Sequence, residues 1–495
     1  MPEETTGTTT STASGTQQLT LLDRIVTEGK MARDISQQTH AKDLVGEFVN
    51  QVLSEGLTIK NDTVAGIKDR IGQIDNLLSD QLNEIMHDAA FQQLEASWRG
   101  LNYLVMNSET GTQLKIRVLN ITKKELLNDM EKATEFDQSV MFKQIYEEEY
   151  GTFGGNPFSV LVGDFEFGRH PQDMSILEKM SGVAAAAHAP FIASASPRLF
   201  DMDSFNELGV PRDMAKTFES TELIKWRSFR DSEDSRYVTL TLPHMLLRLP
   251  YGPDTVPVEG FDYREDVDGR DSAKYLWGNS AYALAQRITN AFAQYKWCAA
   301  IRGVEGGGLV EGLPAHTFKT DSGDVALKCP TETAITDRRE KELSDLGFIA
   351  LCHAKGTDFA AFFGGQTANK PKVYNTSDAT ANARVSGMLP YVLAASRFAH
   401  YLKVIMRDKI GSFMTRENVA AFLNTWISQY VLLSDDAPQA VKAKFPLREA
   451  RVDVLDVPGK PGVYKAVVFL KPHFQLDELT VSIRLVAELP PPAAK

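Results

Sequence analysis

The sequence FSVLVGDFEF at residues 158–167 decides the fold. Its apolar residues run almost without interruption and end in acids, a pattern typical of a central strand buried on both faces of a sheet. The helical sequence DMSILEKMSGVAAAAHA (173–189) and a second buried strand, PFIASAS (190–196), follow it. A strand, a helix and a strand in this order predict an α/β layer.

Strand and helix patterns continue toward the C-terminus. The sequence RYVTLTLPHMLLRLPYG (236–252) has strand character, and residues 271–302 predict a long Ala-rich helix with aromatic anchors. Residues 303–380 are Gly-rich and irregular, with short strands such as LGFIALCHA (346–354), and residues 382–433 return to helices. The chain is therefore expected to be of mixed α/β class.

A β-hairpin is predicted near the C-terminus. Strand patterns flank the turn sequence PGKPG (458–462), whose Pro and Gly residues favour a tight reversal. The hairpin is expected to span Val452 to Leu470, and its candidate apolar residues are Val452, Val454, Val463 and Val468.

The final predicted strand is LTVSIRLVAEL at residues 479–489. It alternates with period two and stops at three prolines, so it has no successor in its own chain. An unpaired edge with an apolar face is a hazard unless another strand covers it, which favours pairing with a neighbouring subunit. The candidate inter-subunit residues are Leu479, Val481, Ile483, Leu485 and Ala487.

The N-terminal region combines a polar tail with a short apolar helix. Residues 1–18 are dominated by Thr, Ser and Gly and are predicted to be disordered, because they bury too little apolar surface. Thr20 is the predicted N-cap of a helix. Its apolar stripe consists of Leu19, Leu21, Leu22, Ile25 and Val26. Such a helix either docks on its own core or is recognised in the groove of a partner protein.

Further helices and one strand are predicted before the central layer. A second short helix is expected from Asp43 to Ser54, and residues 62–106 predict two or more helices. QLKIRVLNI, residues 113–121, alternates as a half-buried strand does.

Composition narrows the class of protein. The 495 residues suffice for two or three compact units, and a net charge of −12 argues against a nucleic-acid binder. No apolar run reaches the length of a membrane span, and the N-terminus lacks the features of a secretory signal. Three widely spaced cysteines, Cys298, Cys329 and Cys352, fit a reducing cytoplasm.

Two motifs invite an enzymatic interpretation. The Gly-rich sequence RGVEGGGLVEG (302–312) lacks the dinucleotide fingerprint, since Glu311 stands where a glycine is required, and it lacks the Gly-Lys-Ser/Thr of a phosphate loop. A tight, close-packed loop is the favoured alternative. Cys352 and His353 are a nucleophile–base pair only if they meet in space, and neighbours on a strand point to opposite faces. No CxxC or HExxH spacing indicates a metal site.

Clusters of carboxylates are also present, at residues 146–150, 230–236 and 336–345. Each is interpreted as a solvated or salt-bridged surface, because no apolar pocket in the sequence is identified that would shift a carboxyl pKa. The mixed charges of residues 336–345 also suit contacts between subunits of an assembly.

Several segments together resemble a known family. The sequences WRSFRDSEDSRYVTLTLPHMLLRLPYG, YLWGNSAYALAQRITNAFAQYKWCAAIRGVEGGGLVEGLP and KPHFQLDELTVSIRLVAELP are similar to the large subunit of the bacterial type VI secretion contractile sheath, the VipB/TssC/EvpB family. The similarity runs from about residue 19 to 490. It implies a contractile-sheath fold with N-terminal helices, mixed sheets flanked by helices, and C-terminal strands shared between subunits.

The resemblance also implies a set of partners. The large subunit pairs with a small sheath subunit of the VipA/TssB type, and the heterodimers polymerise around an inner tube of Hcp-type hexamers on a baseplate. Contraction drives the tube and spike outward, and a ClpV-type AAA+ ATPase recycles the subunits. No catalytic residue, cofactor, metal, nucleic acid or direct membrane insertion is expected, and the sheath is cytoplasmic.

The resemblance gives the N-terminal segments their expected roles. The helix at residues 19–30 matches the segment that the ATPase grips, and Leu57 to Lys60 is the candidate inter-subunit linker. The predicted domains are a tail (1–18), a recognition helix with linker (19–60), a sheath body with two subdomains including an outer one (61–395) and a C-terminal sheath core (396–495).

Two other hypotheses remain open at this point. A cytoplasmic enzyme would use the 303–312 loop or the Cys352/His353 pair. A soluble adaptor for an ATPase would account for the first helix but would leave the last strand unexplained.

Overall fold

The computed structural model describes residues 21–29, 34–54, 63–210, 212–412, 414–459, 463–473 and 475. The chain forms two units, the first ending at Leu77 and the second beginning at Leu78. The predicted tail, the linker at 57–60 and the final strand at 479–489 lie outside the described residues, so these predictions stay predictions. The predicted domain boundaries at 60/61 and 395/396 are likewise predictions.

The strands are β1 (Leu161–Phe167), β2 (Phe191–Ala195), β3 (Val238–Leu242), β4 (Met245–Leu246), β5 (Trp277–Gly278), β6 (Leu309–Val310), β7 (Thr317–Lys319), β8 (Val325–Leu327), β9 (Phe348–His353), β10 (Ala360–Phe362), β11 (Leu447–Asp456) and β12 (Tyr464–Pro472). One sheet has the order β1-β2-β3-β9-β10-β6. Its first four strands are parallel, and β10 is antiparallel to both of its neighbours. β4–β5, β7–β8 and β11–β12 form separate antiparallel pairs.

The helices are α1 (Leu21–Glu28), α2 (Ile35–Ser54), α3 (Thr63–Met86), α4 (Ala89–Met106), α5 (Lys123–Lys132), α6 (Val140–Phe142), α7 (Pro171–Ala187), α8 (Met214–Phe218), α9 (Ile224–Asp231), α10 (Ala281–Tyr295), α11 (Asp337–Asp345), α12 (Ser377–Ser386), α13 (Leu389–Asp408), α14 (Arg416–Ser428) and α15 (Gln439–Lys444). A π-helix spans Lys143–Tyr150, and short 3₁₀ turns occur between the longer elements.

The six-stranded sheet buries both of its faces. On β2, Phe191 and Ala193 belong to the core on the α7 side, whereas Ile192 belongs to the core on the α10 side. β9 alternates in the same way, with Phe348 on the first side and Leu351 on the second. Side chains on successive strand residues point to opposite faces, so a strand between two helical layers needs apolar residues throughout.

The C-terminal hairpin packs only one of its faces. The inner face, which includes Val452 and Val454, packs against the cluster that contains Phe398, Leu423 and Ile427 of α13 and α14. The outer face carries Arg451, Asp453 and Leu455 on β11 and Lys465, Val467 and Phe469 on β12, all exposed. The β11–β12 pairing confirms the predicted hairpin.

Two predictions about strands were wrong. Residues 113–121 form neither a helix nor a strand. Ile116 packs against the core, but Val118 is 68% exposed, so the alternation does not build a buried face with a ladder partner. β1 is a strand, but it lies at the edge of the sheet and not at its centre. Apolar runs predict burial, and they do not specify how many neighbours a strand has.

Two helices differ in length from their predictions. α2 begins at Ile35 and not at Asp43. α10 begins only at Ala281, because the side chain of Asn279 accepts a hydrogen bond from the Ala281 amide (2.8 Å) and β5 occupies the residues just before it. α10 ends at Tyr295, since the following residue, Lys296, has a left-handed conformation (φ 66°). The predicted helices between 62 and 106 and between 382 and 433 are confirmed by α3, α4, α12, α13 and α14.

Candidate functional site

Polar groups gather at the carboxyl ends of the parallel strands. Glu166 lies near the end of β1, His244 follows β3 and His353 ends β9. A segment leading to Glu332 runs beside β4, with the Glu332 amide donating to the carbonyl oxygen of His244 (2.9 Å). This edge is where open α/β sheets usually bind ligands, so its chemistry decides between an enzyme and a structural protein.

His244 lies between two carboxylates. Its Nδ1 is 2.6 Å from Glu332 Oε2, and its Nε2 is 2.8 Å from Glu166 Oε1. Burial alone would lower the pKa of His244, but hydrogen bonds and charges from both carboxylates outweigh burial and raise this pKa to about 10. The imidazole is therefore doubly protonated at neutral pH and donates from both nitrogens. Without a lone pair, it is neither a general base nor a metal ligand.

Glu332 is held by further donors. The same oxygen, Oε1, accepts from Ser204 Oγ (2.7 Å) and from the Phe205 amide (3.1 Å). Burial would raise the pKa of Glu332, but His244 and these donors lower it. The Glu166–His244–Glu332 cluster is thus a satisfied ion triad that ties β1, β3 and the 330–332 segment together. Sequence reasoning missed it, although the acids that end the 158–167 stretch were a signal.

The Gly-rich loop at 302–312 is close-packed. A Cβ on Gly308 would lie 2.6 Å from the Phe362 carbonyl oxygen, and Gly307 has a left-handed φ of 91°. The amide of Gly303 donates to Phe362 O (2.7 Å), and the amide of Gly308 donates to Gly303 O (2.8 Å). These amides are used inside the protein, as the tight-loop alternative predicts, and a phosphate cradle would need them free.

Cys352 and His353 do not meet. Cys352 is buried, and its Sγ lies 3.9 Å from the Ala350 carbonyl oxygen. His353 instead donates from Nε2 to Thr357 O (2.8 Å). The enzymatic alternative is thus not supported at this pair, and the alternation of side chains along the strand separates the two residues as expected.

The predicted recognition helix forms α1. Leu19 lies outside the described residues, and Leu21 and Leu22 lie within the helix. Val26 is 1% exposed, whereas Ile25 is 40% exposed. α1 packs against α2, and the carboxylate of Asp23 forms an ion pair with Lys42 of α2. Of the predicted stripe, Val26 is thus already covered and Ile25 is not.

The hairpin residues divide in the same way. Val452 and Val454 are buried, Val468 packs partly buried against the same cluster, and Val463 is 46% exposed. Outside the β11–β12 ladder, the described residues add one bridge, between Val431 and Leu447 at the start of β11. Further along β11, the Asn424 side chain accepts from the Val452 amide (2.9 Å) and donates to the Val452 carbonyl oxygen (2.7 Å), which covers part of that edge. Within the described part of the chain, the outer edge of β12 has no partner strand.

Metal and membrane sites were also sought in the described ranges. Within them, no group of three or more His, Cys, Asp or Glu side chains is placed to hold a metal ion. None of the helices in the described part of the chain combines the length and hydrophobicity of a bilayer-spanning segment.

Comparison with known families identifies two domains. Residues 68–369 match the EvpB/VC_A0108 tail sheath N-terminal domain, and residues 378–489 match the EvpB/VC_A0108 tail sheath gpW/gp25-like domain. A protein with these two domains in this order is a tail sheath protein.

A relative narrows this class. The chain is 53% identical over 452 residues to the type VI secretion system sheath protein TssC1 of Pseudomonas aeruginosa. The aligned region covers 90% of each sequence. The chain belongs to the EvpB/VC_A0108 tail sheath family, the large-subunit family of the type VI secretion sheath.

Solved structures of contractile systems are similar at a lower level. A chain of the anti-feeding prophage baseplate aligns with a TM-score of 0.34 and 10% identity, over 63% of this chain and 66% of that chain. A chain of the contracted PVC sheath complex, from an extracellular contractile injection system, aligns with a TM-score of 0.34 and 9% identity, over 62% and 68%.

Proposed function

We propose that this chain is the structural large subunit of a cytoplasmic contractile sheath. It pairs with a small sheath subunit, and the heterodimers polymerise around an inner tube on a baseplate. The sheath contracts to drive the tube outward, and a ClpV-type AAA+ ATPase recycles the subunits. The observation that carries this proposal is the hairpin whose β12 edge has no partner strand among the described residues, found in a chain of the tail sheath family.

Strand sharing is the first supporting argument. A two-stranded sheet is marginal on its own and leaves unpaired amides and carbonyls on each side. The outer face of β12 adds Val467 and Phe469, which are 46% and 47% exposed. The chain continues for twenty residues after Gln475, including the alternating sequence 479–489. A strand of this kind from an adjoining copy would complete the hairpin into a larger sheet.

Helix pairing is the second supporting argument. α3 carries exposed apolar residues at spacings of four, three, four and seven, which is the seam of a coiled coil. Their exposed fractions lie between 42% and 52%, and the residues are Ile67, Ile71, Ile74, Leu78 and Ile85. A seam of this length in water favours a helix from another subunit, and the small sheath subunit is the proposed source.

The role of α1 follows from its partial burial. An ATPase groove that binds the apolar stripe of α1 needs Val26, which now lies buried in a helix that packs against α2. Recycling would therefore require α1 to separate from α2. The energy of contraction would come from the lattice, as subunit interfaces repack between two arrangements.

The chemistry of the sheet edge supports a structural role over an enzymatic one. His244 has no free lone pair, the Gly303 and Gly308 amides are used, and Cys352 does not reach His353. The enzyme hypothesis predicts a catalytic activity that is lost when His353 is substituted, with assembly unchanged.

The test is co-expression of this chain with its small subunit, followed by electron microscopy. Ordered tubes are expected, and soluble monomers alone would contradict the proposal.

The ATPase contact has its own test. Leu22→Asp combined with Val26→Asp should weaken binding of the ATPase by a few kcal/mol and leave tubes intact, because apolar anchors are lost. Arg24→Ala is the matched control, since this side chain is 63% exposed on the same helix. Equal capture of the double variant and the parent in a pull-down would refute the assignment.

A further inference from the structure

The chain leaves the C-terminal hairpin past His473 and Gln475, and both residues are bound to the body of the protein. His473 follows β12, and its amide donates to the Pro446 carbonyl oxygen (3.1 Å), just before β11 begins. The side chain of Gln475 donates from Nε2 to the Ala299 carbonyl oxygen (2.9 Å), beyond the end of α10. Two separate parts of the body therefore contact the outgoing chain.

Tyr391, in the first turn of α13, bridges these two residues. Its hydroxyl donates to the His473 carbonyl oxygen (3.1 Å) and accepts from the Gln475 amide (3.0 Å). The tyrosine is 8% exposed, so its ring is enclosed by the protein. One phenol thus uses both of its hydrogen-bonding roles on the backbone of the outgoing chain. Tyr391, His473 and Gln475 together are called the Tyr391 anchor.

A small cleft lies beside the Tyr391 anchor. Its lining includes Ala300, Ala394 and Pro446 together with His473 and Gln475. His473 Nε2 and Gln475 Oε1 are buried, and neither has a hydrogen-bond partner in the described part of the chain. Burial of a polar atom without a partner opposes docking of the segment that carries it. The two bonds of the tyrosine hydroxyl act against this cost, so the docked position of the segment depends on them.

The position of Gln475 limits where the last predicted strand begins. Three residues separate Gln475 from Leu479, the first residue of the strand predicted at 479–489. Four steps of fully extended chain reach at most about 14 Å. A contact that fixes Gln475 therefore fixes, within this distance, the point on the body from which the strand extends to an adjoining copy.

We propose that Tyr391 is a positioning residue for the shared strand, because its hydroxyl sets the point at which the C-terminal segment leaves α13. The neighbouring subunit that receives the strand comes from the proposed function, on which this inference rests. Without the hydroxyl, the segment detaches from α13, and the strand no longer starts at a defined point. Pairing with another chain then loses the benefit of preorganisation, since more freedom is lost on binding.

Hydrogen exchange on the full-length chain tests the anchor itself. Tyr391→Phe keeps the ring and removes both bonds of the hydroxyl, so the Gln475 amide should exchange about tenfold faster. Exchange is measured by mass spectrometry of the peptide that contains Gln475. Tyr237→Phe is the matched control, because it removes a hydroxyl that contacts His188 Nδ1 (3.2 Å) at the end of α7, and it should leave this amide unchanged. Unchanged exchange in Tyr391→Phe would overturn the proposal.

Electron microscopy of the co-expressed pair tests the positioning role. Tyr391→Phe should lose tubes, and Tyr237→Phe should keep them, with similar urea midpoints for the two variants. Normal tubes from Tyr391→Phe despite faster exchange, or a loss of tubes that comes with a much lower urea midpoint, would overturn the positioning role. If Tyr391→Phe does not fold, Gln475→Ala, which removes the bond to Ala299, is judged by the same readouts. Absence of tubes from the parent pair would end the proposed function, whereas exchange of the Gln475 amide would still decide whether the anchor exists.

Discussion

The six-stranded sheet and the C-terminal hairpin are both built by backbone pairing between strands, but they differ in how fully their strands are paired and buried. Every residue of β2 and β3 is buried, because helices cover both faces and strands flank both edges. The hairpin packs only one face and, among the described residues, leaves the outer edge of β12 without a partner strand, while Val431 and the Asn424 side chain cover part of the β11 edge. The sheet is completed by its own chain, whereas the hairpin has an edge that a strand from another chain completes under the proposed function.

This difference separates folding from assembly. Changes in the sheet should act on the stability of the single chain, and changes in the hairpin or the last strand should act on the polymer. A sheath subunit needs both properties, since it must be a stable body that also leaves pairing capacity exposed.

Removal of residues 479–495 should have the largest effect. The truncated chain should fold, because the three buried clusters of the described residues are built without this segment, but tubes should disappear from micrographs of the co-expressed pair. A truncation of residues 490–495 is the control, since it keeps the alternating strand and should still form tubes. Normal tubes from the larger deletion would end the strand-sharing proposal.

Trp226→Ala should give the largest loss of stability. The side chain is 0% exposed and stacks on Phe348 of β9 with ring centroids 5.4 Å apart. The cavity should lower the free energy of unfolding by about 3–5 kcal/mol, measured by urea denaturation. Ile224→Ala on the same helix is the control, because Ile224 is 55% exposed, and it should change stability by under about 0.5 kcal/mol. Similar losses of unfolding free energy in the two variants would show that burial in the sheet core does not determine the stability of the chain.

His244→Gln should cost about 3 kcal/mol at pH 6.5, near the lower end for a broken buried ion pair, because Glu166 is 47% exposed. The folded pKa of about 10 lies above the ordinary 6.5, so the contribution is complete below 6.5 and is lost as pH rises toward 10. The pKa values of Glu166 and Glu332 are lowered in the folded chain. The stabilisation from the ion triad is therefore also lost in acid, as pH falls from 4.5 through these lowered pKa values.

The measurement for His244 is the urea midpoint of parent and variant between pH 6 and 10. The gap between them should narrow as pH rises. A gap that stays constant across this range would show that the imidazolium charge does not contribute.

Phe469→Ala should have the smallest effect on the isolated chain, under about 1 kcal/mol, because its ring is 47% exposed on the outer face. Val452→Ala, on the inner face, is 1% exposed in the parent and should cost about 2 kcal/mol. The order should reverse in a sedimentation assay for tubes, where Phe469→Ala is expected to reduce assembly more. The same order in both assays would contradict the division between folding and assembly.

Much of this organisation was predictable from local pattern. The hairpin was predicted because period-two runs flank a Pro/Gly turn, and β2 because its apolar run follows a helix. The edge position of β1 was not predictable, since neighbours in a sheet are set by long-range topology. Residues 113–121 alternate correctly yet form no ladder in the described chain, because an alternating pattern does not supply a partner.

The site was less accessible to sequence reasoning. His244 meets two acids that are 78 and 88 positions away in the sequence. Only the fold brings such groups together, and adjacency in sequence, as of Cys352 and His353, does not indicate a shared site.

The burial of Val26 in α1 bears on the timing of disassembly under the proposed recycling route. A ClpV-type ATPase that binds the Val26 side chain must compete with α2 for it. The apparent affinity then falls in proportion to the fraction of time for which the two helices are apart. The ATPase could not bind a copy in which α1 stays packed against α2, whatever the concentration of the ATPase. The rate of disassembly would then be set by how often the two helices separate in the sheath subunit itself.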